Sequence, residues 1–108
     1  MALHHNPGEK YTYSEGLDVL GYLVEIVSGK PFDQFLRERL FEPLGMQDTW
    51  FYLPENLAPR LVNLYFSENG SWITTPEGFM WDASYPISGS KSLFSGGGGL
   101  SSTAMDYA

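Results

Sequence analysis

The chain has 108 residues, of which 43% are hydrophobic and 16% are aromatic. This is an ordinary globular content, so the composition excludes intrinsic disorder as a starting interpretation and predicts one domain at this length. Six basic and thirteen acidic residues give a formal charge of −7, which repels a nucleic acid backbone and an anionic membrane surface. We therefore expect no nucleic acid and no membrane among its partners.

The first residues contain neither a recognisable leader nor a metal site. No stretch approaches the roughly 20 apolar residues of a membrane span, and residues 1–8 lack the apolar core of a signal peptide. His4 and His5 are adjacent and have no third ligand at a usual spacing, and cysteine is absent. We therefore expect no bound metal, and the compartment stays open.

A first helix is predicted from Leu17 to Val27. Its apolar residues form two stripes, one made of Leu17, Leu20, Val24 and Val27, and one made of Val19, Leu23 and Ile26. Two stripes predict a helix that is buried on most of its circumference, with the first stripe facing inward. Thr12 or Ser14 would cap its start, and Gly29 would end it.

A second helix is predicted to start at Pro31, with Asp33 in its first turn. Its buried side would carry Phe32, Phe35, Leu36, Leu40 and Phe41. Pro43 and Gly45 are expected to end it.

The following segment changes character towards strands and turns. Residues 49–52 are β-branched and aromatic, residues 54–60 are typical of a short helical turn, and residues 61–66 predict a strand. Asn69-Gly70 lies between two apolar runs and tolerates positive φ, which predicts a hairpin within residues 62–75. Residues 75–95 have no period and are expected to form a long loop. The predicted fold class is therefore mainly α with a small β-hairpin.

The chain ends in a glycine run and a short helix. Residues 96–99 are four consecutive glycines, which allow close backbone approach. Ser101, Ser102 or Thr103 would then cap a terminal helix with Asp106 in its first turn. Since glycine supplies no side-chain chemistry, we favour a structural role for the run over ligand binding.

Few residues are candidates for catalysis on pattern alone. The chain has no Gly-x-Ser-x-Gly elbow, no His-Glu-x-x-His and no phosphate-binding loop. The one local cluster with acid–base potential is Tyr13-Ser14-Glu15, at the start of the first helix. An equally weighted alternative is that it is only a helix start, with Glu15 as a reciprocal cap.

Five blocks of sequence carry a resemblance to a known family: Pro7–Ser14, Asp18–Gly21, Val27–Phe32, Phe41–Thr49 and Phe94–Thr103. In this order they resemble the middle part of the β-lactamase-related serine hydrolases, which include class C β-lactamases, esterases and D-alanyl-D-alanine carboxypeptidases. The resemblance covers essentially the whole chain and is weakest from Pro54 to Tyr85. It implies a helical subdomain, as a single partial domain of the α+β fold of that family.

The resemblance also implies a division of catalytic roles. In the family an S-x-x-K motif on a helix supplies a nucleophilic serine and a lysine, a Y-x-N motif supplies a tyrosine, and a K-T-G or H-x-G motif lines the site. We identify only the middle motif here. Tyr13 resembles the tyrosine that shuttles a proton between nucleophile and leaving group, and Ser14 is the variable middle position. A phenol has an ordinary pKa of about 10, which is too high for a base at neutral pH, so a neighbouring cation is needed to lower it. That cation would lie outside this chain.

The position of the motif's asparagine is taken by Glu15, which is a departure from the family pattern. An amide both donates and accepts hydrogen bonds, whereas a carboxylate only accepts, so this residue favours an esterase over a penicillin-hydrolysing enzyme. It also leaves open a pseudoenzyme. Among the tryptophans, Trp81 is predicted to face the substrate cleft, while Trp50 and Trp72 are predicted to lie in the core.

Two hypotheses follow from the sequence. In the first, the chain is a fragment of a serine hydrolase that acts on small ester or amide substrates through an acyl-enzyme, without a cofactor, and the isolated chain is inactive. In the second, it is a small acidic interaction or self-association module. An excised helical region would leave apolar surface uncovered, so on the first hypothesis we expect a homo-oligomer. A strictly monomeric, compact chain would favour the second.

Overall fold

A computed structural model describes residues 3–76, 82 and 84–108. The helices are α1 (Gly16–Ser28), α2 (Phe32–Leu36), α3 (Glu42–Leu44), α4 (Tyr85–Ser88) and α5 (Ala104–Tyr107). A π-helical turn (Arg37–Phe41) joins α2 to α3, a 3-10 turn spans Glu55–Arg60, and β1 (Tyr65–Glu68) pairs with β2 (Ser71–Thr74). A largely helical structure with one small hairpin is therefore confirmed. Within the described ranges, no helix has the length and apolar content to cross a membrane.

Helix α1 begins without a side-chain cap. Glu15 is its N-cap residue, and the Glu15 backbone carbonyl accepts hydrogen bonds from the N–H groups of Asp18 (3.0 Å) and Val19 (3.2 Å). The predicted caps Thr12 and Ser14 are wrong, because the N-cap residue is Glu15. Its φ of −72° and ψ of 23° are not the extended conformation that a capping side chain needs. The predicted end is confirmed: Gly29 has φ 69° and closes the helix in the left-handed conformation.

The expected burial of α1 is wrong within the described residues. Leu17, Leu20 and Val27 are 58%, 54% and 78% exposed, and Val24 is half-buried. The buried position on this helix is Gly21, which the Phe32 ring and the backbone of the glycine run approach. The apolar pattern correctly indicates the helix, but the described residues cover only a narrow part of its surface.

The second predicted helix forms in three continuous pieces. Pro31 is the N-cap of α2 rather than its first residue, while Asp33 lies in the first turn as predicted. Pro43 does not end the helix: it lies in α3 directly after the π-helical turn, and the chain stays helical to Leu44. Gly45, at φ 72°, ends α3. Phe41 is 3% exposed as predicted, whereas Leu40 remains 43% exposed.

The core surrounds the segment after α3. Thr49, Phe51 and Leu53 are 2%, 6% and 9% exposed. The Phe51 ring lies 5.7 Å from that of Phe32 and 5.4 Å from that of Phe94, measured between centroids. This aromatic packing attaches the start of α2 to the chain just before the glycine run.

The hairpin forms at the predicted turn. Asn69 and Gly70 have φ values of 50° and 80°, which are the positive values of a two-residue type I′ turn. The first strand starts at Tyr65 rather than at residue 61. Trp72 lies on β2 and is 75% exposed, so its predicted place in the core is wrong: the described residues place no second layer on that face of the hairpin.

The terminal helix α5 is held by polar contacts with the core. Thr103 caps it as predicted, since its hydroxyl oxygen accepts from the Asp106 N–H at 3.2 Å. Asp106 Oδ2 in turn accepts from the Asp48 N–H (2.7 Å) and from the Thr49 hydroxyl (2.8 Å). A helix of four residues is unstable alone, so these contacts account for its presence.

Candidate functional site

A groove of about 1120 Å³ lies beside the start of α1. One wall consists of residues 11–18 and Leu20, and the other includes Ser95 and residues 97–102. Asp82, Tyr85 and Pro86 also line it. The Tyr13-Ser14-Glu15 cluster and the glycine-rich segment therefore line one concave surface.

Tyr13 lies three residues before α1 and lines the groove. Its side chain is 88% exposed, so the phenol is accessible to a ligand in the groove. This location, at the N-terminal end of the first long helix with an outward side chain, agrees with the prediction. The proton-shuttle role of Tyr13 stays a prediction.

Ser14 and Glu15 line the same groove and are both exposed. Glu15 provides its backbone carbonyl to the helix start, and no side chain caps α1. The alternative of a reciprocal cap is therefore wrong, and the Glu15 carboxylate is not engaged in helix capping. Glu15 and Tyr13 thus line the same groove, and the match of Glu15 to the motif's amide position stays a prediction.

One string of the chain has the spacing of the family's first motif, which the pattern analysis had not recognised. Ser88-Gly89-Ser90-Lys91 reads S-x-x-K. The structure does not place it as that motif requires, because Ser88 is the last residue of α4 and Lys91 lies beyond the helix with φ 55°. The Ser88 hydroxyl donates to the Ser84 carbonyl at 3.0 Å, which is a local helix contact.

Asp18 also lines the groove, and no motif in the sequence points to it. Its Oδ1 accepts from the Ser95 hydroxyl at 2.5 Å and from the Gly97 N–H at 3.3 Å. These hydrogen bonds, the one from Ser95 foremost, hold the pKa of the Asp18 carboxyl below its usual value. The sequence feature that could have indicated Asp18 is its position as a single acid between two apolar stripes, in the first turn of the helix.

The glycine run packs directly on α1. A Cβ built on Gly96 would lie 2.1 Å from the Leu17 carbonyl oxygen, and one built on Gly97 would lie 3.1 Å from Asp18 Oδ2. Only a residue without a side chain fits against the helix backbone at Gly96. This close approach supports the structural role that was favoured for the run.

The predicted cleft residue Trp81 lies outside the described residues. Trp50 is half-buried, and the Arg37 guanidinium lies over its ring, 4.0 Å from the ring centroid. This stacked pair is an ordinary packing arrangement for a cation and an indole. Trp50 does not line the groove.

Comparisons with known proteins agree on one family. The family model described as Beta-lactamase matches residues 1–108. Protein Rv1367c of Mycobacterium tuberculosis is 34% identical over 108 residues, covering 99% of this chain and 25% of that protein. The lovastatin esterase of Penicillium rubens is 41% identical over 71 residues, covering 64% of this chain and 18% of the esterase.

A solved structure has the same fold over most of the chain. It is EstCE1, described as a hydrolase with promiscuous acyltransferase activity, with a TM-score of 0.79 and 28% identity. The match covers 94% of this chain and 29% of EstCE1. The chain thus spans about a quarter of the length of these relatives. The matches confirm the resemblance that the five sequence blocks carry, and the chain belongs to the β-lactamase family.

Proposed function

We propose that the chain is the helical part of a serine hydrolase that cleaves small esters or amides through an acyl-enzyme, with Tyr13 as its proton shuttle. The observation that carries this proposal is the position of Tyr13, which is exposed at the groove just before α1. Tyr13 matches the tyrosine of the family's Y-x-N motif, with Glu15 in the place of the asparagine. The names of two relatives, an esterase and a hydrolase with acyltransferase activity, support the reaction class.

The proposed reaction needs groups from outside these residues. A serine hydroxyl from an S-x-x-K motif attacks the substrate carbonyl carbon, and its proton passes to the phenolate oxygen of Tyr13. As the bond from the carbonyl carbon to the leaving oxygen or nitrogen breaks, Tyr13 returns the proton to that atom. Water then cleaves the acyl-enzyme by the same route in reverse. The motif's lysine would supply a cation beside the phenolate oxygen.

Glu15 favours esters over β-lactams as substrates. A carboxylate at the position of the motif's amide cannot donate a hydrogen bond to an acyl-amide carbonyl. It also places negative charge next to the phenol and next to any substrate carboxylate that enters the groove. We therefore propose an ester without a carboxylate near the scissile bond as the preferred substrate class.

The proposal is tested by comparing the 108-residue chain with the protein encoded by the complete reading frame. The complete protein is expected to hydrolyse a chromogenic short-chain ester faster than nitrocefin, and the 108-residue chain to hydrolyse neither, since Tyr13 alone offers no covalent route. A reading frame that lacks S-x-x-K upstream, or ester turnover by the 108-residue chain itself, would contradict the proposal.

The uncovered apolar surface is what an excised helical region would leave, and it also fits the second candidate, a self-association module. Ile26 and Val27 on α1 are 62% and 78% exposed, and Met105 and Tyr107 on α5 are 85% and 88% exposed. The radius of gyration is 16.5 Å, which exceeds the roughly 13 Å of a compact chain of this length. Surface of this kind on a free chain is covered by pairing.

We accordingly expect the 108-residue chain to form a dimer or a larger oligomer. Light scattering over a dilution series should show a mass that falls towards 12.1 kDa as concentration decreases. A Val27→Lys variant and a Met105→Lys variant place a charge on α1 and on α5 respectively, and the one that shifts the mass to that of a monomer identifies the contact. A compact monomer at every concentration would contradict this expectation and make a self-contained module the better interpretation.

A further inference from the structure

Two walls of the groove are joined by one side chain. Asp18 Oδ1 accepts from the Ser95 hydroxyl and from the Gly97 N–H, over sequence separations of 77 and 79 residues. All three residues line the groove. Asp18 is therefore a direct polar link between the first turn of α1 and the glycine-rich wall.

The link acts where the two walls are already in backbone contact. Gly96 lies against the Leu17 carbonyl so closely that it leaves no space for a side chain. The hydrogen bonds from Ser95 and Gly97 to Asp18, on either side of Gly96, then fix where the glycine segment lies along the helix and around its axis. A single close contact leaves two segments free to turn about it, whereas a contact flanked by two hydrogen bonds does not.

The same turn of helix is connected to Tyr13. The Asp18 N–H donates to the Glu15 carbonyl at 3.0 Å, so the Asp18 backbone closes the turn that begins at Glu15, two residues after Tyr13. Its side chain fixes the opposite wall, and its backbone fixes the start of the helix. A displacement of Asp18 would therefore shift this turn and, with it, the Tyr13 side chain.

We infer that Asp18 is a positioning residue, whose carboxylate holds the glycine-rich wall against α1 and thereby places Tyr13 for proton transfer. The inference rests on the proposed function. Asp18 itself donates no proton and touches no substrate in this account. A misplacement of about 1 Å can cost about 100-fold in rate, so the loss of the link is expected to appear in kcat rather than in KM.

The test is a double-mutant cycle on ester hydrolysis in the complete protein, with Asp18→Ala and Tyr13→Phe. Asp18→Ala is expected to lower kcat by about tenfold or more, with KM changed by less than about threefold. In the Tyr13→Phe background it should cause less than about a twofold further loss, because residues that act through one another are not additive. Amide hydrogen exchange of the peptide around Gly97 should become faster in Asp18→Ala.

Two further variants separate positioning from general damage. Asp18→Asn keeps an oxygen that accepts from Ser95 and Gly97, and it should retain kcat within about threefold of the wild type. Asp33→Ala removes another first-turn aspartate, on α2 and away from the groove, and should leave kcat and the exchange near Gly97 unchanged.

Each failure points to a different premise. If Tyr13→Phe retains full activity, the proposed function fails. If Tyr13→Phe is strongly impaired but Asp18→Ala is not, or if the two losses multiply, Asp18 does not act through Tyr13 and the inference is overturned. An Asp18→Asn variant as impaired as Asp18→Ala would show that charge rather than position matters, which also overturns it.

Discussion

Replacement of Tyr13 by phenylalanine in the protein encoded by the complete reading frame is expected to lower kcat for ester hydrolysis by about 10²- to 10⁴-fold, the usual contribution of a positioned acid–base group. The change removes only the phenolic oxygen, from a side chain that is 88% exposed in the 108-residue chain, so the fold should be kept. Steady-state kinetics with a chromogenic short-chain ester measures the loss, and circular dichroism verifies the fold.

Two variants control this experiment. Tyr22→Phe removes a hydroxyl from another exposed tyrosine, on α1 and outside the groove, and should keep full activity. Ser14→Ala changes the variable middle position of the motif and should have little effect on kcat. Turnover that survives Tyr13→Phe but disappears in Ser14→Ala would overturn the motif assignment.

Gly96→Ala is expected to have the largest effect on stability. The added methyl group would lie 2.1 Å from the Leu17 carbonyl oxygen and 2.9 Å from the Leu17 carbonyl carbon. Both are backbone atoms of a helix and cannot rotate away, so the helix and the glycine run must separate. We expect a loss of about 3 kcal/mol in the free energy of unfolding, at the upper end of overpacking effects. Urea unfolding of the 108-residue chain measures it.

Gly16→Ala is the matched control for that substitution. The nearest atom to a Cβ at Gly16 is the Ser14 hydroxyl oxygen at 3.8 Å, which is ordinary contact distance. Gly16 is the first residue of α1, where alanine is expected to be neutral or to stabilise by up to about 1 kcal/mol. Equal unfolding midpoints for the two variants would contradict the close approach at Gly96.

Local features could be predicted from the sequence because their causes lie within a few residues. Helix α1 was expected from Leu17 to Val27 and spans Gly16–Ser28, and its end depends on the left-handed conformation of Gly29. The Asn69-Gly70 turn and the Thr103 cap are equally local, since each needs only the residue types within one turn. The position of Tyr13 before α1 followed from the same short-range patterns and from the ordered family blocks.

Long-range features were decided by tertiary structure alone. The bond from Ser95 to Asp18 spans 77 residues, and no local pattern indicates which helix the glycine run will meet. The exposure of Leu17 and Val27 has the same origin. Apolar periodicity indicates which face of a helix is stabilised by burial. The segment that packs on that face is determined by the path of the rest of the chain. The sequence by itself therefore determined the helix, the hairpin and the family, whereas the groove and the Asp18 link depend on how distant segments meet.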